Sequence, residues 1–203
     1  MDRQKYMDQR EVKLLRTATE NQSIEDMEAG RTDGVLRWMV VDAALSTGLR
    51  VAELAALRCG DVNLSRSCLT VTRSKRKTRK PETLAIGRDF AEHLREFMGW
   101  KTRVDQPIGT TDALFVGQRG PLSRQGLQKI WKRAIRLAAL PSELSIHSSR
   151  HTVAVHLLRK TRNLRQVQKQ LGHASPATTA NMYADIPFED MQAGVEGLYD
   201  DTG

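Results

Sequence analysis

The chain has 203 residues, of which 39% are hydrophobic and 28% are charged. This composition can form the core of one domain and excludes a disordered tail. The net charge of +8 is unevenly placed, because residues 185–203 hold six acidic residues and no Lys or Arg; without those six negative charges, residues 1–184 carry +14. A body this basic favours a polyanion as its partner.

The two cysteines, Cys59 and Cys68, give no sign of a disulfide framework or a structural metal site. No Cys or His pair stands at zinc-like spacing, so free thiols are expected. No apolar run approaches the length of a membrane span, and the polar start of the chain lacks the apolar stretch of a signal peptide. We therefore expect no membrane partner and a cytoplasmic, nucleoid-associated location.

Helical spacing dominates the first third of the chain. Apolar residues in residues 8–19 and again in residues 35–44 recur at intervals of three or four, which predicts two helices. The second helix is expected to stop at Gly48, which can adopt the left-handed capping conformation. A short helix over residues 51–57 then places Arg50 at a helix junction.

From Cys68 onward the apolar residues alternate, which predicts a strand, and residues 83–86 are expected to form its partner. The tip of this hairpin is very basic, since six of the eight residues 73–80 are Lys or Arg. A helix around residues 90–98, a loop over 105–111 and a brief strand over 114–116 are predicted to follow.

The remainder of the chain is predicted to be helical. Ser123 can cap a helix whose core face includes Leu127, and Pro141 marks its end. Further helices are predicted over residues 147–159, 163–171 and 176–183, followed by an acidic amphipathic segment. The fold class is therefore mainly α with a small antiparallel β-sheet (α+β), arranged as one domain over residues 1–203 with its core in residues 9–184 and the acidic segment in residues 185–203.

Four motifs carry the informative polar residues: TGLRVAEL at residues 47–54, HxxRHT at 147–152, LGH at 171–173, and a tyrosine at 183. In this order they resemble the tyrosine recombinases of the phage integrase family, and the resemblance extends from about residue 9 to the C-terminus. It implies a catalytic domain that cuts and rejoins double-stranded DNA through a 3′-phosphotyrosyl intermediate, with no metal or other cofactor.

The chemistry explains why such residues are needed. In-line cleavage of a phosphodiester requires a nucleophile, cations for the growing charge on the phosphoryl oxygens, and a proton for the leaving oxygen. Arg50 and Arg150 are expected to bind the scissile phosphate, because a guanidinium donates paired hydrogen bonds and stays charged. His147 lies three positions before Arg150, so on a helix the two share a face.

The resemblance assigns the remaining roles. His147 and His173 would hydrogen-bond the phosphoryl oxygens, with His147 accepting the proton of Tyr183, the nucleophile. A phenol has a pKa near ~10, so it needs a base or nearby cations to react at neutral pH. Glu53 is expected to position Arg50, and His151 is expected to make a buried structural hydrogen bond.

In the family a lysine of the hairpin protonates the leaving oxygen, and Lys75 and Lys77 are both candidates here. Lys75 is favoured because a lysine at the end of a strand holds its position better than one at the tip. The other basic residues are expected to bind backbone phosphates, which fixes register without reading sequence. The expected DNA-binding residues are Arg73, Arg76, Lys77 and Arg79 of the hairpin, and Arg124 and Lys132 of the following helix.

Two local departures from the family pattern stand out. Ser149 occupies a position where an aliphatic residue usually precedes the second arginine. His173 and Tyr183 are ten positions apart, one more than is usual, and an extra residue rotates a helical position by about 100°. Asn181, which tolerates irregular backbone, could absorb the difference.

A larger departure is the N-terminal DNA-clamping domain of the family, which residues 1–203 do not include. Either the sequence is a piece of a longer protein, or it resembles short stand-alone recombinases such as the fimbrial promoter-inverting type. The acidic segment 185–203 corresponds to the part that, in family members, packs against a neighbouring subunit, so self-association on DNA is expected.

Two other functions remain as alternatives to recombination. One is a catalytically idle DNA-binding protein that occupies recombination sites and regulates access to them. The other is topoisomerase-like relaxation of DNA by the same chemistry without exchange of partners. The presence of the complete set of candidate catalytic residues argues against the idle protein.

Overall fold

A computed structural model describes residues 6–72 and 81–172. The helices of this part are α1 Gln9–Glu28, α2 Asp33–Thr47, α3 Val51–Ala56, α4 Arg88–Arg103, α5 Arg124–Leu137, α6 Ile146–Thr161 and α7 Leu164–Leu171. The strands are β1 Val62–Asn63, β2 Cys68–Thr72, β3 Pro81–Ala85, β4 Val116–Gly117 and β5 Gly120–Pro121. The predicted fold class, mainly helical with small antiparallel sheets, is confirmed.

The first helix is longer than the apolar pattern predicts, since α1 continues from residue 19 to Glu28. Along this extension, buried polar side chains occupy the face of the helix that points to the core. The hydroxyl of Thr19 donates to the carbonyl of Leu15 at 2.9 Å, and that of Ser23 donates to the carbonyl of Glu20 at 2.7 Å. Because these side chains satisfy their hydrogen bonds within the helix, they can face the core where hydrophobic periodicity gives no signal.

Gly48 ends α2 in the left-handed conformation, with φ of 63°, as predicted. A second constraint acts at the same position, because a Cβ there would lie 2.6 Å from Leu171 Cδ2 and 3.2 Å from Val153 Cβ. The glycine therefore serves both the backbone turn and the close packing of α6 and α7 against it. Arg50 is the residue that precedes α3, so its predicted place at a helix junction is confirmed.

The strands β1, β2 and β3 form an antiparallel sheet in that order. The predicted pairing of the strand from Cys68 is confirmed: Leu69 and Leu84 face each other and both are buried. The basic tip, residues 73–80, lies outside the described residues.

The predicted strand over residues 114–116 is only partly right, because β4 begins at Val116 and pairs with β5. The amide of Leu114 donates to the carbonyl of Leu57, and the carbonyl of Phe115 accepts from the amide of Leu122, both at 2.9 Å. Leu114 and Phe115 are thus buried between two separate segments, which explains their apolar character without a regular strand.

The core is built around α2, which contacts α1, α4, α5 and α6. A smaller apolar cluster joins α6 to α7 through Ala154, Leu158, Val167 and Leu171.

One core residue was not expected from the sequence: Lys101 is fully buried and donates to the carbonyls of Ala113 and Leu114 at 3.0 and 3.1 Å. Burial lowers the pKa of this lysine.

Cys59 and Cys68 are free thiols, as predicted. Across residues 6–72 and 81–172, no helix combines the length and the apolar character that crossing a membrane would require.

Candidate active site

Helix α6 carries two of the predicted site residues in its first two turns. Ser145 caps the helix, its hydroxyl accepting a hydrogen bond from the amide of His147 at 3.3 Å. His147 is exposed, whereas Arg150 is only 8% exposed. Ser149 is fully buried, and its hydroxyl donates to the carbonyl of Ile146 at 2.8 Å, so it occupies an interior position without an unsatisfied polar group.

The guanidinium of Arg150 connects three of the sequence motifs. Its Nη1 donates to the carbonyl of Gly48 at 2.7 Å, and its Nη2 donates to the carbonyl of Leu171 at 2.6 Å. Both carbonyls lie at helix C-termini, where carbonyls lack partners within the helix and where the helix dipole favours a cation. The sequence reasoning missed these two contacts, although all three residues lie in motifs that it singled out.

Arg50 lies two residues after Gly48, at the same junction. Its Nη1 donates to Glu53 Oε1 at 3.0 Å, and its backbone amide donates to Glu53 Oε2 at 2.9 Å. The carboxylate of Glu53 is fully buried, whereas the Arg50 side chain is 24% exposed. The contact expected between Glu53 and Arg50 is therefore present, and it holds the arginine at the start of α3 with part of its surface open to solvent.

The prediction that His151 makes a buried hydrogen bond is wrong about burial, because this side chain is exposed. Each residue of a helix is rotated by about 100° from the one before it, so the neighbour of a buried arginine points elsewhere. Thr152 takes the interior position instead. Its hydroxyl accepts from the amide of Met7 at 2.9 Å and donates to the carbonyl of Ser148 at 2.8 Å.

Three predicted catalytic residues, Lys75, His173 and Tyr183, lie outside the described residues, as do the hairpin residues Arg73, Arg76, Lys77 and Arg79. The described chain nevertheless shows contacts of the helix end that precedes His173. Leu171, which contacts Arg150, is two residues before His173. Its neighbour Gln170 donates from Nε2 to the carbonyl of Ala85 in β3 at 2.9 Å. The end of α7 thus contacts both the base of the basic hairpin and Arg150.

Helix α5 lies next to the exposed imidazole of α6. Lys132 and His147 line the same surface depression of about 360 Å³, together with Gln125, Gln128 and Lys129. Arg124 is exposed in the first turn of α5. Both helical residues predicted to contact DNA are therefore on the surface, and Lys132 is beside a candidate catalytic histidine.

An ionic cluster outside the motifs links α1, α2 and α4. The buried carboxylate of Asp42 is 3.0 Å from Arg16 Nη2 and 2.8 Å from His93 Nδ1. The hydrogen bond to Asp42 raises the pKa of His93. Sequence reasoning missed this cluster, because its three members are dispersed in the sequence and belong to no recognisable motif.

Comparison with known proteins connects these motifs to a family. The profile described as the phage integrase family matches residues 5–189. Tyrosine recombinase XerD of Corynebacterium glutamicum is 32% identical over 161 residues, which is 79% of this chain and 51% of that protein. Tyrosine recombinase XerC of Corynebacterium efficiens is 36% identical over 141 residues, which is 69% of this chain and 43% of that protein. The chain spans about half the length of these curated relatives.

Solved structures share the fold. The crystal structure of XerA recombinase is 24% identical with a TM-score of 0.75, covering 93% of this chain and 61% of that one. XerH site-specific recombinase bound to difH substrate is 22% identical with a TM-score of 0.72, covering 94% and 53%. The Tn1549 transposon integrase in complex with transposon right end DNA is 19% identical with a TM-score of 0.73, covering 98% and 68%.

Proposed function

The chain belongs to the phage integrase family, the tyrosine recombinases, and from that membership we propose that it is a catalytic domain that cleaves and rejoins DNA at specific sites. The observation that carries the proposal is the convergence on Arg150. One buried guanidinium joins the junction that bears Arg50 to the helix end that leads to His173. Residues that are more than a hundred positions apart in sequence are thereby gathered around one cationic centre.

The proposed reaction gives every candidate catalytic residue a role. Arg50 and Arg150 stabilise negative charge on the non-bridging oxygens, and His147 and His173 hydrogen-bond the same phosphate. The Tyr183 oxygen forms a bond to phosphorus as the bond to the 5′ oxygen breaks, and His147 accepts the phenolic proton. Lys75 donates a proton to the departing 5′ oxygen. The phosphotyrosyl bond conserves the energy of the broken phosphodiester, so the reverse reaction can join a new strand without a cofactor.

The proposed substrate is double-stranded DNA; the similar Tn1549 integrase is in complex with transposon right end DNA, and XerH is bound to its difH substrate. The basic hairpin residues Arg73, Arg76, Lys77 and Arg79 would bind backbone phosphates, as would Arg124 and Lys132 of α5. Residues 1–203 would act as one catalytic unit, with the acidic segment 185–203 contacting a second copy on DNA. Association with the nucleoid follows from this choice of substrate.

Formation of a covalent adduct tests the proposal. The protein is incubated with a pool of nicked duplexes of randomised sequence, and DNA that remains attached to protein after detergent treatment is recovered and sequenced. A nick near the cleavage site lets the short cleaved fragment diffuse away, so the adduct accumulates. We expect recovery of an enriched sequence by the wild-type protein and loss of the adduct in Tyr183→Phe.

Tyr199→Phe is the matched control, because it removes a hydroxyl of the same kind from the acidic segment and should leave the adduct unchanged. An adduct that persists in Tyr183→Phe would contradict the assignment of the nucleophile. Mapping of the labelled peptide to Tyr199 would move that role to the other tyrosine.

A further inference from the structure

The C-terminal end of α7 contacts two parts of the protein that are far apart in sequence. The carbonyl of Leu171 accepts from Arg150 Nη2 at 2.6 Å, and Nε2 of the preceding Gln170 donates to the carbonyl of Ala85 at 2.9 Å. Successive residues of a helix are rotated by about 100°, so these neighbours can reach different partners. The last turn of α7 therefore contacts both a proposed phosphate-binding arginine and the strand that follows the basic loop.

Hydrophobic packing contributes little to the connection between α7 and the sheet. Val167 and Leu171 of α7 belong to the small cluster shared with α6, whereas Leu69 and Leu84 of the sheet belong to the main core. In the described part of the chain, α7 packs broadly on α6 but not on β2 or β3. The hydrogen bond of Gln170 is therefore a directional contact at a place where apolar packing is sparse.

The partner of Gln170 lies on an edge strand. Among the described residues, β3 is at one edge of the sheet β1-β2-β3, and backbone groups on the outer side of an edge strand have no neighbouring strand to pair with. The half-buried side chain of Gln170 satisfies one such group, the carbonyl of Ala85. Ala85 pairs with Cys68 and Pro81 pairs with Thr72, so the ladder carries the orientation of β3 to the end of β2.

A small rotation of this hairpin would be costly for catalysis. Ala85 is four residues from Pro81, which is about 13 Å along a strand. A tilt of about 5° at Ala85 would displace the Pro81 end by about 1 Å, and a misplacement of about 1 Å can cost about 100-fold in rate. Lys75, the proposed proton donor, follows Thr72 by three residues in the sequence. A contact that fixes the angle of the hairpin would therefore affect protonation of the leaving oxygen.

We propose that Gln170 is a positioning residue, which holds the β2–β3 hairpin at a fixed angle to the helix end that contacts Arg150. The proposal rests on the proposed function, in which a hairpin lysine protonates the leaving 5′ oxygen. Gln170 touches no reacting atom in this role. Its amide fixes the hairpin relative to the phosphate-binding arginine, so its loss misplaces the proton donor and leaves the phosphate contacts of Arg150 intact.

Cleavage of two DNA substrates tests the catalytic part of the proposal. The full chain with Gln170→Leu, which keeps the approximate size of the side chain but removes the donor, is compared with the wild type on duplexes that carry oxygen or sulfur at the bridging 5′ position. A sulfur leaving group needs no proton, because a thiol has a pKa near about 8.5. We expect the variant to form the adduct roughly tenfold to a hundredfold more slowly on the oxygen substrate, and at the wild-type rate on the sulfur substrate.

Gln166→Leu is the matched control, because it makes the same change at an exposed position of the same helix. It should keep the wild-type rates on both substrates. Equal slowing of Gln170→Leu on oxygen and sulfur would overturn the proposal, since a loss of folding or of phosphate binding does not depend on the leaving group. Wild-type rates for Gln170→Leu on both substrates would overturn it as well.

Hydrogen exchange of the free protein tests the anchor separately from the chemistry. The amides of β3 should exchange faster in Gln170→Leu than in the wild type or Gln166→Leu, because the edge strand loses its contact with α7. Unchanged exchange would overturn the anchoring role even if the wild-type protein forms adducts. Absence of any adduct from the wild type would reject the proposed function and the catalytic role of the anchor, whereas faster exchange would still support the anchor itself.

Discussion

At the scale of single residues, Arg150 has a structural contact in addition to its proposed catalytic role. Its guanidinium is buried and donates to two backbone carbonyls that belong to different helices. The planar guanidinium has donors on two separate nitrogens, so it can contact carbonyls on two helices and remain charged at any physiological pH. The same group would then present a permanent positive charge to the phosphate, in an orientation that the helix ends determine.

Arg150→Lys should therefore reduce stability as well as activity. A lysine keeps the charge, but its single ammonium cannot reproduce the planar fork that reaches both carbonyls. Loss of one hydrogen bond involving a charged group costs about 1.5–3 kcal/mol, and urea unfolding should show a decrease in the free energy of unfolding of that order. Arg124→Lys, at an exposed position of α5, is the control and should change stability little. Equal stability of the two variants would show that the carbonyl contacts contribute nothing.

His93 is expected to make the stability of the protein depend on pH, at a position away from the proposed active site. Its pKa is raised chiefly by the hydrogen bond to Asp42, so the folded protein holds the proton more tightly than the unfolded chain. The stabilisation is fully present below the unfolded pKa of about 6.5 and is lost as pH rises through the folded pKa. The contribution of His93, measured as the difference in the free energy of unfolding between the wild type and His93→Gln, should decrease above about pH 6.5, by at most about 1 kcal/mol because the ring is partly exposed.

His93→Gln should lack this contribution, since its amide can still donate to Asp42 but does not titrate. The exposed His147→Gln is the matched control and should show no such difference from the wild type. If His93→Gln has the same pH dependence as the wild type, the titrating group is another residue.

At the scale of elements, prediction from sequence succeeded where local chemistry determines the structure. The serine cap of α5, the glycine that ends α2 and the pairing of β2 with β3 all follow from residues close in sequence. Contacts between distant residues were not predictable in the same way. The buried Lys101 and the carbonyls that bind Arg150 depend on helix packing, which composition and periodicity do not encode.

The same distinction applies to the candidate site. The motifs predicted Arg50, His147 and Arg150 as members of one site, and the structure places Arg150 against the residues that flank Arg50 and His173 in sequence. Burial of individual side chains was less predictable. His151 was expected inside and is exposed, because one step along a helix is enough to change the face on which a residue lies.

The hairpin lysine provides a prediction about the element that joins β2 to β3. If Lys75 protonates the leaving 5′ oxygen, Lys75→Ala should cleave normal DNA slowly. Sulfur in place of the bridging 5′ oxygen should restore cleavage, because a thiol has a pKa near about 8.5 and its thiolate departs without a proton. Adduct formation on the two substrates, measured as rates, gives the comparison.

Arg150→Ala is the contrasting variant, because its proposed charge stabilisation concerns non-bridging oxygens that the sulfur substitution leaves in place. It should stay slow on both substrates. If sulfur restores cleavage by Lys77→Ala but not by Lys75→Ala, the general acid is Lys77. If sulfur restores cleavage by neither Lys75→Ala nor Lys77→Ala, the proton donor lies outside the hairpin.

At the scale of the whole molecule, charge is separated along the chain and concentrated on the surface around α5. Residues 1–184 carry +14, whereas residues 185–203 carry six negative charges. Two surface depressions beside α5 are lined in part by basic side chains, and His147 lines one of them. The proposed reaction thus takes place at the edge of a cationic surface, where the potential that attracts DNA also favours the charged transition state.

This distribution of charge leads to the prediction that adduct formation is independent of added metal. In phosphoryl transfer by metal enzymes, a divalent ion neutralises the non-bridging oxygens and activates the nucleophile. Here Arg50 and Arg150 would provide the positive charge and His147 would accept the proton of Tyr183. In residues 6–72 and 81–172, no three His, Cys, Asp or Glu side chains are grouped so that they could hold an ion. Excess EDTA should therefore leave the yield of covalent adduct unchanged.

The matched variant in this experiment is Arg50→Ala, which should lose the adduct with or without Mg²⁺, because the proposed reaction uses this guanidinium and not a metal ion to stabilise the phosphate. Loss of the wild-type adduct in EDTA, restored by Mg²⁺, would contradict the prediction and would require a carboxylate near the phosphate. Glu53 is a carboxylate beside the proposed centre, since it contacts Arg50. Because both of its oxygens already accept hydrogen bonds from that arginine, we expect it to orient the cation rather than to bind a second one.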